Sequence, residues 1–150
     1  MEKMICFDMD GTIADFYNEI NWLNDLISEK VNPYVNATPL YDMKELRNIL
    51  LNLKAKGWKV AVISWTAKNS SLAYHEKVRE AKKDWLKKYN FPADYIHLVK
   101  YGTTKAKAVK KKSDYAILID DNEKVLQGWS LGEKINPTKE NLIEKLRALA

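Results

Sequence analysis

The sequence predicts an α/β sandwich of three layers, with helices on both faces of a mostly parallel sheet. Short apolar or β-branched runs alternate with helix-period segments along the whole chain. Three of those runs deliver polar side chains directly: Asp8 and Asp10, then Ser64, then Asp120 and Asp121. In open parallel sheets the carboxyl ends of the strands are where ligands bind.

In chain order, residues 3–7 (Met4, Ile5, Cys6, Phe7) read as a short buried strand that runs into Asp8-Met9-Asp10-Gly11-Thr12. Residues 15–30 carry Phe16, Ile20, Leu23, Leu26 and Ile27 at helical spacing and predict an amphipathic helix. Pro33 and Pro39 mark an irregular connection. Residues 15–41 are therefore expected to form a small helical cap insert within a single domain spanning 1–150. Asp42 followed by Glu45 has the spacing of a capping box, and Leu46, Ile49, Leu50 and Leu53 carry that helix to Gly57. Residues 59–63 form the next buried strand and lead into Ser64-Trp65-Thr66.

A charged helix over 70–89 yields at Phe91-Pro92, and residues 95–99 predict a further strand. Gly102-Thr103-Thr104 opens a lysine-rich helix. Residues 115–119 are the clearest strand, ending on Asp120-Asp121-Asn122. A last strand near 133–135 and a helix capped near Thr138, with Leu142, Leu146 and Leu149, complete the order.

Composition narrows the class of protein. At 150 residues and 46% hydrophobic the chain suits one buried core. Its single cysteine, Cys6, cannot form an internal disulfide and reads as a small buried hydrophobe, which favours a reducing, cytoplasmic setting. No window approaches the ~20 apolar residues of a membrane span, so a membrane protein is not expected. The net charge of +5 concentrates in Lys82, Lys83, Lys87 and Lys88 and in Lys105, Lys107, Lys110, Lys111 and Lys112. Such runs predict solvated helix faces, with a mild attraction for phosphorylated molecules or nucleic acid as the functional reading.

The polar strand ends suit phosphoryl transfer. A carboxylate attacks a phosphate monoester only when the repulsion between two anions is cancelled. Asp8, Asp10, Asp120 and Asp121 offer the hard oxygens that Mg²⁺ prefers, and Lys105 adds a fixed positive charge. Asp10 is placed to give a proton to the leaving oxygen and later to activate water. Gly11 allows a sharp turn, so that backbone N–H groups approach the phosphate, and Ser64 can donate one more hydrogen bond.

Asp8-Met9-Asp10-Gly11-Thr12, Ser64, Lys105 and Asp120-Asp121, each after or before its element in this order, resemble the four motifs of the haloacid dehalogenase superfamily. The resemblance covers nearly the whole chain and implies a Rossmann-like fold. It implies Asp8 as nucleophile and Mg²⁺ ligand, and Asp10 as acid/base offering its backbone carbonyl to the metal. Asp120 and Asp121 would complete the metal site, while Ser64 and Lys105 would hold the phosphoryl oxygens. Lys100 and Lys107 are the neighbouring alternatives to Lys105.

The string from Asp8 to Phe16 is also similar to the first motif of the 5′(3′)-deoxyribonucleotidases, which implies a place for Phe16 in a nucleobase pocket. Thr12 stands where that group usually has valine, and Ser64-Trp65-Thr66 where it tends to have Thr-Ser-Pro. The expected substrate contacts are Gly11, Thr12, Phe16, Trp65 and Thr66, with Trp65 stacking on a base or shielding the site. Trp22, Trp58, Trp85 and Trp129 are expected to pack, and His75 and His97 to be structural. The expected activity is Mg²⁺-dependent hydrolysis of a small phosphomonoester, foremost a nucleoside monophosphate. A nucleic-acid 3′-end phosphatase and a non-enzymatic Mg²⁺- or nucleic-acid-binding protein are the alternatives.

Overall fold

The computed structural model describes all 150 residues. Five parallel strands, β1 (Glu2–Phe7), β2 (Trp58–Trp65), β3 (Tyr95–Val99), β4 (Ser113–Ile119) and β5 (Lys134–Ile135), lie in the order β3-β2-β1-β4-β5. β1 takes the centre because Met4, Ile5, Cys6 and Phe7 are apolar on both faces, as a strand covered on both sides must be. Ile5, Phe7, Val60, Val62, Ile117 and Ile119 point into the larger core. The alternate residues Met4, Cys6, Ala61, Ile63, Ala116 and Leu118 point into the smaller one.

Helices α3 (Met43–Ala55), α4 (Leu72–Lys88) and α7 (Leu142–Ala148) cover the first face through Leu46, Leu50, Leu53, Trp85, Leu86, Leu142 and Leu146. The short α5 (Ala106–Val109) and α6 (Glu123–Gln127) cover the second through Val109 and Leu126. The chain moves outward from β1 to β2 and β3, then returns to β4 on the other side of β1. Strand order therefore reverses between β1 and β4, and a crevice opens at their carboxyl ends.

Asp42 caps α3 by accepting from the Lys44 and Glu45 amides, whereas Glu45 turns away to Arg147. Three expected elements differ, the lysine-rich helix first, which shrinks to the four residues of α5. The helix foreseen over 15–30 is a 3₁₀ turn, Phe16–Asn18, followed by α1 (Trp22–Ile27), because Asn21 adopts φ 60° and breaks the run. The cap of the last helix is Asn141, which accepts from the Glu144 amide, and not Thr138, whose hydroxyl donates to Asn136.

Between Asp8 and Asp42 the chain folds over the crevice. The 3₁₀ turn, α1 and α2 (Asn32–Asn36) rest on α4 through a third cluster of Phe16, Tyr34, Tyr74 and Val78. Hydrogen bonds from Tyr74 to the Lys30 carbonyl (2.6 Å) and from Trp85 to the Ala37 carbonyl (2.7 Å) pin it there. No helix is long and apolar enough to cross a membrane.

Candidate active site

A cavity of about 330 Å³ opens where strand order reverses, lined by Asp8, Asp10, Ser64, Lys105, Asp120 and Asp121 on the sheet side. Asp8 follows β1 directly, and its amide continues the ladder by donating to the Ile119 carbonyl (2.9 Å). The same ladder holds Asp120, whose amide donates to Ile135 (3.1 Å). Sheet register thus brings the two carboxylates together from positions far apart in sequence.

Lys105, 5% exposed, lies between them. Its ammonium donates to Asp8 Oδ1 at 2.9 Å and to Asp120 Oδ2 at 2.7 Å. Lys100 and Lys107 are exposed, so Lys105 alone of the three occupies the site. Burial would raise the Asp8 carboxyl, but the charge and hydrogen bond of Lys105, helped by Lys82, outweigh it and hold Asp8 below the ordinary range.

The other three carboxyls are pushed up, each by burial first. Asp10 is raised, with Lys82 opposing and Asp8 adding to the effect. Asp120 rises to about 6 and Asp121 to about 7, with the Asp8 charge as the second cause. The cluster holds more negative charge than it can keep ionised.

A divalent cation suits that donor set. Oxygens of Asp8, Asp120 and Asp121 lie within 4.8 Å of one another, all of them hard carboxylate donors. The Asp10 carbonyl accepts no protein hydrogen bond. Four carboxyl groups face two ammonium groups, so the site carries an excess of acid over base that a cation would offset.

The turn after β1 is built differently from expectation. Gly11 has φ +79°, and a Cβ there would strike the Asp121 carboxylate and lie 2.9 Å from the Tyr17 ring, so the glycine makes room for Asp121. Its own amide donates to Ala14, and that of Thr12 to Met9, so neither is free for a phosphate. The Met9 and Asp10 amides donate to no protein acceptor and are the available pair. Thr12 is fully buried and does not line the cavity. Its hydroxyl lies 3.0 Å from Asp8 Oδ2 and 3.1 Å from Asp121 Oδ1 and accepts from the Asp121 amide, bracing carboxylates in place of touching substrate.

Thr66 reaches the cavity wall, but its hydroxyl shares a 2.7 Å hydrogen bond with His75 Nδ1, whose tautomer sets the direction. Trp65 also lines the cavity. Its indole donates to the Thr103 carbonyl (2.8 Å), and its ring lies 4.9 Å from that of Tyr101. Phe16 is 2% exposed, packed against Tyr17, Trp22 and Tyr34 at 4.7–5.5 Å between ring centres. Phe16 still contributes to the cavity lining, Tyr17 and Tyr101 line it as half-exposed rings, and half-buried Trp22, expected only to pack, stands on the cavity wall.

The sequence reading missed Lys82. It was expected on a solvated face, yet it is 1% exposed and donates to Asp10 Oδ2 (2.9 Å), Ser64 Oγ (2.6 Å) and the Trp65 carbonyl (2.8 Å). Its position could have been read from phase, since residues 74, 78, 82 and 85 fall on one side of α4 with Tyr74, Val78 and Trp85.

No family model matches the sequence, and no curated protein matches it. Among solved structures the fold is similar to that of D,D-heptose 1,7-bisphosphate phosphatase from Burkholderia thailandensis, with a TM-score of 0.53. The match is 16% identical and covers 88% of this chain and 75% of that one. What the two share is the fold, a Rossmann-like α/β sandwich.

Proposed function

We propose that the chain is a Mg²⁺-dependent phosphomonoester hydrolase of the haloacid dehalogenase superfamily, acting through an aspartyl-phosphate on Asp8. The observation that carries this reading is the placement of Lys105 between Asp8 and Asp120 in a crevice walled by four carboxylates. It keeps Asp8 ionised at neutral pH while Asp10 is pushed toward its protonated form. A pair of carboxyl groups driven apart in this way divides the roles of nucleophile and acid. The phosphatase with the similar fold is consistent with this chemistry.

In the first step an Asp8 oxygen bonds to phosphorus as the bond to the leaving oxygen breaks, and the Asp10 proton passes to that oxygen. Asp10, now a carboxylate, takes a proton from water as the water oxygen attacks phosphorus. Inorganic phosphate leaves and Asp8 is restored. Lys105 retains one N–H for a phosphoryl oxygen, with the Ser64 hydroxyl and the Met9 and Asp10 amides as further donors. Asp8, Asp120, Asp121 and the Asp10 carbonyl would hold Mg²⁺, which supplies charge cancellation when bound.

The substrate we infer is a nucleoside monophosphate. Tyr17, Trp22, Tyr34, Trp65 and Tyr101 give the cavity aromatic walls suited to a flat base, and its size suits a small ester over a polymer end. A panel of nucleoside monophosphates, sugar phosphates and a 3′-phosphorylated oligonucleotide, assayed with Mg²⁺ and with chelator, tests it. Mg²⁺-dependent turnover highest on mononucleotides is expected. Hydrolysis of none of them would overturn the activity, and a preference for the oligonucleotide would overturn the substrate.

A further inference from the structure

We propose that Lys82 is a positioning residue for phosphoryl transfer, fixing both the oxygen through which Asp10 exchanges its proton and the direction of the Ser64 hydroxyl. This rests on the phosphohydrolase reading above. An ammonium has three donors, and those of Lys82 meet Asp10 Oδ2, Ser64 Oγ and the Trp65 carbonyl at 2.9, 2.6 and 2.8 Å. None is left for a substrate. Lys82 therefore works through its neighbours, unlike Lys105, which has two protein acceptors.

Each acceptor is constrained in a useful way. Ser64 accepts from Lys82 and donates to no protein group, so its one proton is directed away from the ammonium, on a side chain that lines the cavity. Asp10 is held by Oδ2 alone, which leaves Oδ1 without a protein partner as the oxygen that carries the transferable proton. The Trp65 carbonyl ties the ammonium to the end of β2, and the Tyr34 ring, 5.2 Å away, covers it from the insert.

Packing alone does not call for lysine here. The position lies in phase with Val78 and Trp85, and an apolar side chain would fill it without the desolvation that a buried ammonium demands. What an apolar residue could not do is orient two polar groups contributed by different strand ends.

The test compares kcat/KM on an alkyl phosphate, whose leaving oxygen needs a proton, with that on p-nitrophenyl phosphate, whose leaving group departs readily without one. General-acid help is worth ~10²–10⁴ in rate. Lys82→Met is expected to lower the alkyl-to-aryl ratio by at least ~10-fold, a fraction of that range, beyond any loss common to both esters. In an Asp10→Asn background, Lys82→Met should leave the ratio unchanged. Should Lys82→Met fail to fold, Lys82→Gln, which keeps a donor, is read in the same way, with a smaller fall of the same sign. Equal loss on both esters, or a ratio that falls equally in the Asp10→Asn background, would overturn the inference alone. The alkyl ester used is a nucleoside 5′-monophosphate, and a wild-type protein inactive on it and on p-nitrophenyl phosphate would overturn the phosphohydrolase reading and this inference with it.

Discussion

At Lys105 one ammonium meets two acids, at 2.9 Å from Asp8 and 2.7 Å from Asp120, and holds the first of them below its ordinary range. Its helix is only four residues long, so the lysine-rich run was a poor guide to structure. Its nearness to the strand-end carboxylates was legible from the ordered motifs, as the Asp8 and Asp120 placements were. Lys82 was not legible in that way, because a lysine on a charged helix defaults to solvent and only its phase with Trp85 says otherwise. Phe16, the expected substrate contact, lines the cavity but is packed by three rings. If the substrate is the proposed nucleotide, Tyr17 offers the more accessible ring for stacking, being 52% exposed beside Asp10 and Asp121 on the cavity rim. A base stacked on an aromatic face gains ~1–3 kcal/mol, or about five- to more than a hundredfold. Tyr17→Ala should lower kcat/KM on nucleoside monophosphates by such a factor and leave glycerol phosphate within a few-fold of wild type. Equal losses on both would remove Tyr17 from the base site.

Among the elements, the strands were the most legible, since apolar runs ending on polar residues mark a parallel sheet and its working edge at once. The insert was least legible. Its residues have helical spacing, yet Ile20 is 86% and Ile27 73% exposed, because the packing of Phe16, Tyr17, Trp22 and Tyr34 overrides a continuous apolar stripe. The insert is fastened to α4 at its N-terminus. Glu29, at φ 55°, accepts from the Ser71 amide and hydroxyl at 2.8 Å each, while Ser71 caps the helix through the Tyr74 amide. Glu29→Ala should release this tie, so that amides over residues 16–36 exchange hydrogen at least several-fold faster while those of β1 and β4 do not. Unchanged exchange in the insert would mean that Tyr74, Trp85 and the aromatic cluster hold it alone.

For the molecule as a whole, the charge stored in the crevice links stability to pH and, through the proposed metal site, would link it to Mg²⁺. Asp10, Asp120 and Asp121 titrate above their ordinary value in the folded chain, Asp120 at about 6 and Asp121 at about 7. The folded protein thus binds more protons than the unfolded chain, and stability falls as pH rises from about 4 through those values. Asp8, held low, works the other way, and its contribution is lost only as pH falls below the ordinary value and through its depressed one. With chelator present, Tm should therefore decline between about pH 4 and the pH of about 7 at which Asp121 titrates. Mg²⁺ should raise Tm more at the upper end than at the lower. Calorimetry with a flat, Mg²⁺-insensitive Tm would contradict a carboxylate metal site. A phosphoryl group carried by Asp8 would be trapped by quenching turnover with borohydride, which reduces an acyl phosphate to an alcohol, and located by sequencing the peptide by mass spectrometry. Homoserine is expected in place of Asp8 in the wild-type protein, formed only when substrate is present and absent from Asp8→Asn, which should be folded and inactive. Steady hydrolysis with position 8 unmodified, or near-wild-type turnover by Asp8→Asn, would contradict it.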